Sequence, residues 1–153
     1  MCGIVAVTGY KKALPLLINV LEKLEYRGYD SAGIAIINPE TNTITCNKAE
    51  GKLKNLINNL NDENIPGTVG IGHTRWATHG KPEVKNAHPH IDSSGNIAVV
   101  QNGIIENFQE LKNKLESEGT IFNSDTDTEV IPHLIERELN TLSKLNLENN
   151  GST

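Results

Sequence analysis

Met1-Cys2-Gly3-Ile4-Val5-Ala6-Val7 opens the chain with a thiol directly behind the initiator methionine and a β-branched apolar run directly after it. The run 4–7 ends near Gly9 and predicts a strand that begins almost at the terminus, which would hold Cys2 rigidly. Removal of Met1 would leave a cysteine whose own α-amine lies beside its thiol. A free α-amine titrates near ~7.7 to 8 and a thiol near ~8.5, so around neutral pH the amine can take the thiol proton as a built-in general base. Taken alone, the same residues also describe any protein that carries cysteine at its second position. The rest of the chain has to decide between the two readings.

Working outward, Leu14, Leu17, Ile18, Leu21 and Leu24 recur at helical spacing, with Pro15 near the start of that helix, where a missing N–H does little harm. A polar, glycine-rich loop over 26–33 leads into the continuous apolar run 34–37, which predicts a buried strand. A turn over 38–42 returns the chain into 43–47, giving a hairpin. Leu53, Leu56, Ile57 and Leu60 predict a second amphipathic helix, and a strand over 69–72 follows the Pro66-Gly67 turn. The stretch 73–90 holds four of the five histidines and the single Trp without periodicity, so it is expected to be a long functional loop. A strand over 97–100, a helix containing Phe108, Leu111 and Leu115 and closed by Gly119, and a brief strand over 120–122 come next. The last helix carries Val130, Ile131, Leu134, Ile135 and Leu139. Thr128 is its expected cap, because a start at Thr126 would put Pro132 inside the helix. From residue 140 the pattern dissolves into Asn, Ser, Glu and Gly, and 140–153 is expected to be a polar, disordered tail.

The 153 residues, 37% hydrophobic, suit one globular domain with a real core. A net charge of -5, with no dense Lys/Arg cluster, argues against nucleic acid or a membrane surface as partner and favours small molecules or proteins. No apolar stretch approaches the ~20 residues of a membrane span, and no basic segment with an apolar run behind it marks the N-terminus, so a cytoplasmic protein is expected. Cys2 and Cys46 do not make a disulfide framework, and Cys46 in the run 43–46 reads as packing.

His73-Thr74-Arg75-Trp76-Ala77-Thr78-His79-Gly80 gathers a guanidinium, an indole, hydroxyls and imidazoles into eight residues. Arg75 offers a planar fork for a carboxylate, and small polar neighbours can complete a pocket for an amino-acid head group. The alternatives are a satisfied surface loop, or a metal site built from His73, His79, His88 and His90. The second is disfavoured because no carboxylate or Cys stands at zinc-ligand spacing. Asn102-Gly103 is either an ordinary turn or a pair of donors for an oxyanion. Asp125 and Asp127 either cap a helix or one of them binds an ammonium group.

Taken together, residues 1–5, Glu25-Tyr26-Arg27-Gly28-Tyr29-Asp30-Ser31-Ala32-Gly33, the run from His73 to Gly80, and Gln101-Asn102-Gly103-Ile104-Ile105-Glu106-Asn107 closely resemble the class II glutamine amidotransferase family. The resemblance runs from about Cys2 to about Leu139 and is closest to the branch of amino-sugar biosynthesis. It implies an α+β, N-terminal-nucleophile fold, an αββα sandwich of antiparallel sheets between helices. It also implies hydrolysis of glutamine to glutamate and ammonia without a cofactor or metal, the ammonia going to fructose 6-phosphate on a sugar-phosphate isomerase domain or chain to give glucosamine 6-phosphate. Carried over by residue, Cys2 is the nucleophile with its α-amine as base, and Asn102 and Gly103 form the oxyanion hole. Arg75 binds the substrate carboxylate and Asp127 its ammonium group, Trp76, Thr78 and His79 line the pocket, and Arg27 stands beside the cysteine. Gln101 departs from the His common in the family. The family's domain also continues past this sequence, so the sandwich is expected to be incomplete. The alternatives are a catalytically silent fragment that associates with full-length subunits, a homo-oligomer included, or a stand-alone amidase of the same fold.

Overall fold

The computed structural model describes residues 2–60, 65–76 and 81–150, the last three of these by their backbone alone. Four antiparallel strands form the main sheet: β1 (Gly3–Val7), β2 (Ser31–Ile37), β3 (Ile44–Glu50) and β4 (Val69–Arg75), in the order β1-β4-β2-β3. One rung of this sheet runs Ile4, His73, Gly33, Lys48, and the next runs Gly3, Thr74, Ala32, Ala49. The β2–β3 hairpin is the expected one. Its turn is closed by the Asn38 side-chain oxygen, which accepts from the Glu40 N–H at 2.9 Å.

Because strand side chains alternate, the sheet has two different faces. On one face Val5, Ala32, Ile34, Ile36 and Ala49 pack against the apolar stripes of α1 (Ala13–Leu24) and α2 (Leu53–Asn59). Leu17, Leu21 and Leu56 are fully buried there, and each contributes about 1.5–3 kcal/mol of burial free energy. Gly70 and Gly72 belong to the same face, and both contribute bare backbone over which Leu17 and Leu21 close. The opposite face carries His73 and Arg75 and meets the second layer. That layer is a two-stranded sheet, β5 (His90–Ile91) with β6 (Ala98–Val99), backed by α3 (Phe108–Ser117) and α4 (Val130–Asn150). Gly33 lets the two layers meet, since a Cβ there would run into the His88 carbonyl oxygen. Helices outside and two antiparallel sheets inside give the expected α+β layering, with two strands in the second sheet among the described residues.

Four expectations are corrected. The strand expected to stop at residue 72 continues to Arg75, so His73 and Arg75 lie on a strand and the long loop is shorter than its composition suggested. No strand forms over 120–122, where Phe122 instead packs its ring 4.9 Å from that of His133. The cap of the final helical segment is Thr126 rather than Thr128: a 3-10 turn, Asp127–Glu129, precedes α4, and Pro132 falls in the first turn of α4, where its missing N–H has no intrahelical partner to lose. The helix then runs to Asn150 through the expected tail. Ile135, Leu139, Leu142 and Leu145 continue the helical spacing on a face that stays 40–55% exposed, which is why no composition signal of burial marks it.

Candidate active site

β1 and β4 are antiparallel neighbours, so the start of one lies beside the end of the other, and Cys2 meets Trp76 across 74 residues of sequence. At this edge a cavity of about 330 Å³ opens between the sheet and two loops, one over 101–104 and one over 126–128. Its size falls in the range of small-molecule sites. Cys2, Arg75 and Trp76 line it from the sheet, and Asn102, Gly103 and Asp127 from the loops.

The cysteine is held through its backbone, leaving the thiol turned to the cavity. Its carbonyl accepts from the Arg27 Nε–H and from the Asn102 side-chain amide, each at 3.4 Å. Its Sγ accepts from the Trp76 main-chain N–H at 3.4 Å, and the thiol lies 3.7 Å from the Trp76 carbonyl oxygen. Gly28 makes this approach possible, because a Cβ there would lie 2.7 Å from the main chain of Arg75 and Trp76. The Trp76 indole, 44% exposed, packs edge-on against Tyr29 at 5.6 Å at the mouth of the site.

Charge in the cavity is opposite at two points. Arg75 is buried and donates from Nη1 to the Lys81 carbonyl at 3.4 Å. Burial pulls its guanidinium below the usual value, against the opposing pull of Cys2, Asp30 and Asp127, and a guanidinium stays charged all the same. Asp127 is also buried, and its Oδ2 accepts from the Ile105 N–H at 2.6 Å. Asp125 points elsewhere: it pairs with Lys85 at 2.9 Å and with Asn86 at 3.2 Å, so of the two aspartates it is Asp127 that lines the cavity.

Under the site lies a stack of three histidines. The His73 and His88 rings lie 4.3 Å apart and nearly parallel, and His90 meets His88 edge-on at 4.6 Å. They serve as hydrogen-bonding struts. His73 Nε2 donates to the Gln101 carbonyl at 3.1 Å, His88 Nδ1 accepts from the Gln101 N–H at 3.3 Å, and His90 Nε2 bonds the Thr126 hydroxyl at 2.8 Å. Among the described residues no group of three or more His, Cys, Asp or Glu side chains has a geometry suited to a metal ion.

Burial keeps all three rings neutral. It pushes His73 down to about 4, with the Gln101 carbonyl opposing and Arg75 adding to the effect. It pushes His90 down to about 3, with Lys48 adding, and it lowers His88 further still, with His73 and His90 adding. Unfolded, each would take a proton near ~6.5. The unfolded state therefore binds more protons, and stability falls as pH drops below about 6.5 toward about 4. Glu129 extends the loss to lower pH. Burial alone would raise it, but His133, Ser124 and the main-chain N–H groups of Asn123 and Ser124 outweigh that and hold it at about 2, so its contribution is lost as pH falls below its ordinary value of 4.5. Thermal unfolding followed from pH 7 to pH 5 is expected to show a steadily falling Tm, with roughly two to three protons taken up per molecule unfolded near pH 5.5. A flat profile would contradict the neutral stack.

Of the residues expected from the sequence, Cys2, Arg75, Trp76, Asn102, Gly103 and Asp127 line one cavity, and Arg27 holds the Cys2 carbonyl from behind. Met1, Thr78 and His79 lie outside the described residues. Gln101, noted in the sequence only as a departure beside Asn102, also lines the wall, and so do His88, Ile104, Thr126 and Thr128, which sequence reading did not place there. Strand parity, applied to a β4 that reached Arg75, would have put His73 and Arg75 on the face that meets His88.

A family model described as a glutamine amidotransferase domain matches residues 58–146, more than half of the chain and the part holding Arg75, Asn102, Gly103 and Asp127. The chain belongs to the glutamine amidotransferase domain family. Among curated relatives of this glutamine amidotransferase domain, a glutamine–fructose-6-phosphate aminotransferase (isomerizing) of Thermosynechococcus vestitus is 59% identical over 135 residues, 88% of this chain and 21% of that protein. One of the same name from Clostridium tetani is 59% identical over 136 residues, 89% of this chain and 22% of that protein. The chain thus spans about a fifth of the length of these relatives. In three dimensions it is similar to glutamine phosphoribosylpyrophosphate amidotransferase from B. subtilis, with a TM-score of 0.72 and 30% identity over 90% of this chain and 29% of that one. A second structure, described as the allosteric regulatory enzyme of purine biosynthesis, is similar with a TM-score of 0.76 and 32% identity, over 90% of this chain and 30% of that one. Among the described residues no helix is long and apolar enough to cross a membrane.

Proposed function

We propose that this amidotransferase domain hydrolyses the side-chain amide of glutamine to glutamate and ammonia, with Cys2 as nucleophile. The observation that carries the reading is a single cavity lined by a thiol, a buried guanidinium, a buried carboxylate and the Asn102-Gly103 amides. Glutamine is a zwitterion with an amide at its far end. One cation and one anion fix its α-carboxylate and α-ammonium groups, and a substrate held at two points presents its amide in one orientation. In this reading Arg75 takes the carboxylate, Asp127 the ammonium group, and Trp76, Thr78 and His79 complete the walls.

With Met1 removed, the Cys2 α-amine takes the thiol proton, and Sγ attacks the amide carbon. Asn102 and Gly103 donate to the oxyanion of the tetrahedral intermediate. Collapse of that intermediate breaks the C–N bond, the protonated α-amine gives its proton to the leaving nitrogen, and ammonia departs. Water, deprotonated by the same amine, then splits the γ-glutamyl thioester and regenerates the thiol. The names of the relatives support fructose 6-phosphate as the acceptor of that ammonia, on a sugar-phosphate isomerase domain or chain, in amino-sugar synthesis.

Arg75→Ala tests the pocket. Losing a charge-assisted bond to the substrate carboxylate is expected to raise the KM for glutamine about 10- to 100-fold, with a smaller effect on kcat. Steady-state glutamate release measures both, and an unchanged KM would refute the assignment.

A further inference from the structure

Asn102 and Gly103 are flanked on both sides by hydrogen bonds to one consecutive pair of residues in a distant loop. Before them, the Gln101 side-chain oxygen accepts from the Thr128 hydroxyl at 2.8 Å. After them, the Ile105 N–H donates to the Asp127 carboxylate at 2.6 Å. The main chain of Gln101 is fixed as well, its N–H by His88 Nδ1 at 3.3 Å and its carbonyl by His73 Nε2 at 3.1 Å. The Gln101 side-chain amide lies over Gly103, close enough that a Cβ on Gly103 would come within 3.1 Å of Nε2. Thr128 is 2% exposed, so removing its hydroxyl would take away the protein partner of the half-buried Gln101 oxygen.

We infer that Gln101 and Thr128 are positioning residues, a side-chain tether that locks the Asn102-Gly103 donors to the loop carrying Asp127. For its effect on catalysis this rests on the glutaminase reading. A substrate bound at its amino-acid end by Asp127 and at its amide end by Asn102 and Gly103 requires a fixed distance between two loops 25 residues apart. One hydrogen bond on each side of the donors supplies it. Asp127 keeps its 2.6 Å bond from the Ile105 N–H, much shorter than the 3.5 Å contact its Oδ1 makes with the Thr128 hydroxyl, so loosening the tether displaces the donors more than the ammonium site. A displacement of 1 Å at such a position costs on the order of 10²-fold in rate, and partial loosening costs less.

The test uses Thr128→Val, Gln101→Leu, their double variant and Thr128→Ser in the full 153-residue chain. Each of the first two is expected to lower kcat for glutamine about tenfold while moving KM less than about threefold. The double variant should lose no more than the worse single one, because both remove the same bond, and Thr128→Ser, which keeps the hydroxyl, should restore wild-type kcat. Hydrogen exchange gives a second readout that does not depend on activity: amides in 102–105 should exchange faster in Thr128→Val and Gln101→Leu than in wild type or Thr128→Ser, with the rest of the chain unchanged. Multiplying losses in the double variant, or unchanged exchange at 102–105, would overturn the tether. A wild-type chain that releases no glutamate would refute the glutaminase reading, while the exchange result would still decide whether the tether exists.

Discussion

Cys2→Ala is expected to abolish glutamine hydrolysis, lowering kcat by at least about 10⁴-fold while leaving the fold intact. The side chain removed lies at the start of β1, outside the apolar core between the main sheet and α1 and α2, so no cavity forms and Tm should move little. The backbone contacts that place residue 2, from Arg27 and Asn102 to its carbonyl, do not involve the thiol. Cys46 cannot substitute for it. That cysteine sits opposite Ala35 in the β2–β3 ladder, away from the cavity, and burial pushes its thiol up, with Lys48 only partly opposing. Ammonia and glutamate release, measured beside thermal unfolding, separates loss of chemistry from loss of structure. Residual hydrolysis within tenfold of wild type would mean that another group is the nucleophile.

The second large effect concerns the base. The described residues that line the cavity around Cys2 offer Arg75, a buried Asp127 already bonded to Ile105, and a His88 kept neutral, with its Nδ1 committed to the Gln101 N–H. The thiol's hydrogen-bond contacts are with the main-chain N–H and carbonyl of Trp76. The α-amine of a processed Cys2 is the group attached to the nucleophile itself. Retaining Met1, or acetylating the processed terminus, is therefore expected to lower kcat by about 10²- to 10⁴-fold, the usual contribution of a general base. Intact mass establishes the state of the terminus, and hydrolysis by processed and blocked chains gives the ratio. Equal rates would remove the amine from the mechanism.

Much of the architecture could be read from the residues. The 3.6-residue spacing of Leu17 and Leu21 and the continuous run in β2 each corresponded to an element in its expected place. β4 was cut short for a physical reason. Gly70 and Gly72 give no side chain on the face that meets α1, while His73 and Arg75 on the other face are polar because they face the site. A strand whose core positions are bare and whose buried positions are polar has no hydrophobic alternation to detect. β5 and β6 are two residues each and leave no periodic trace. The helical spacing of Leu139, Leu142 and Leu145 was present but lay among Asn and Ser, and its face is exposed.

The site was partly legible for a related reason. Residue chemistry marked Cys2, Arg75 and Asn102-Gly103 as unusual, whereas their convergence depends on strand register, with Gly3 opposite Thr74. Side-chain contacts outside the sheet decide between the two aspartates, since Lys85 and Asn86 hold Asp125 away from the cavity. In the sequence Gln101 stands out only by its departure from the family's common His, and Thr128 only as an expected helix cap. Their part emerges only from the bond between them.

The central claim is that glutamine is cleaved through a covalent thioester on Cys2. Its most direct test is acid quenching of the processed chain during turnover of glutamine, followed by peptide mapping by mass. A γ-glutamyl adduct confined to the N-terminal peptide, absent from Cys2→Ala and from the peptide containing Cys46, is the predicted result. Turnover with no adduct, or an adduct on Cys46, would contradict it.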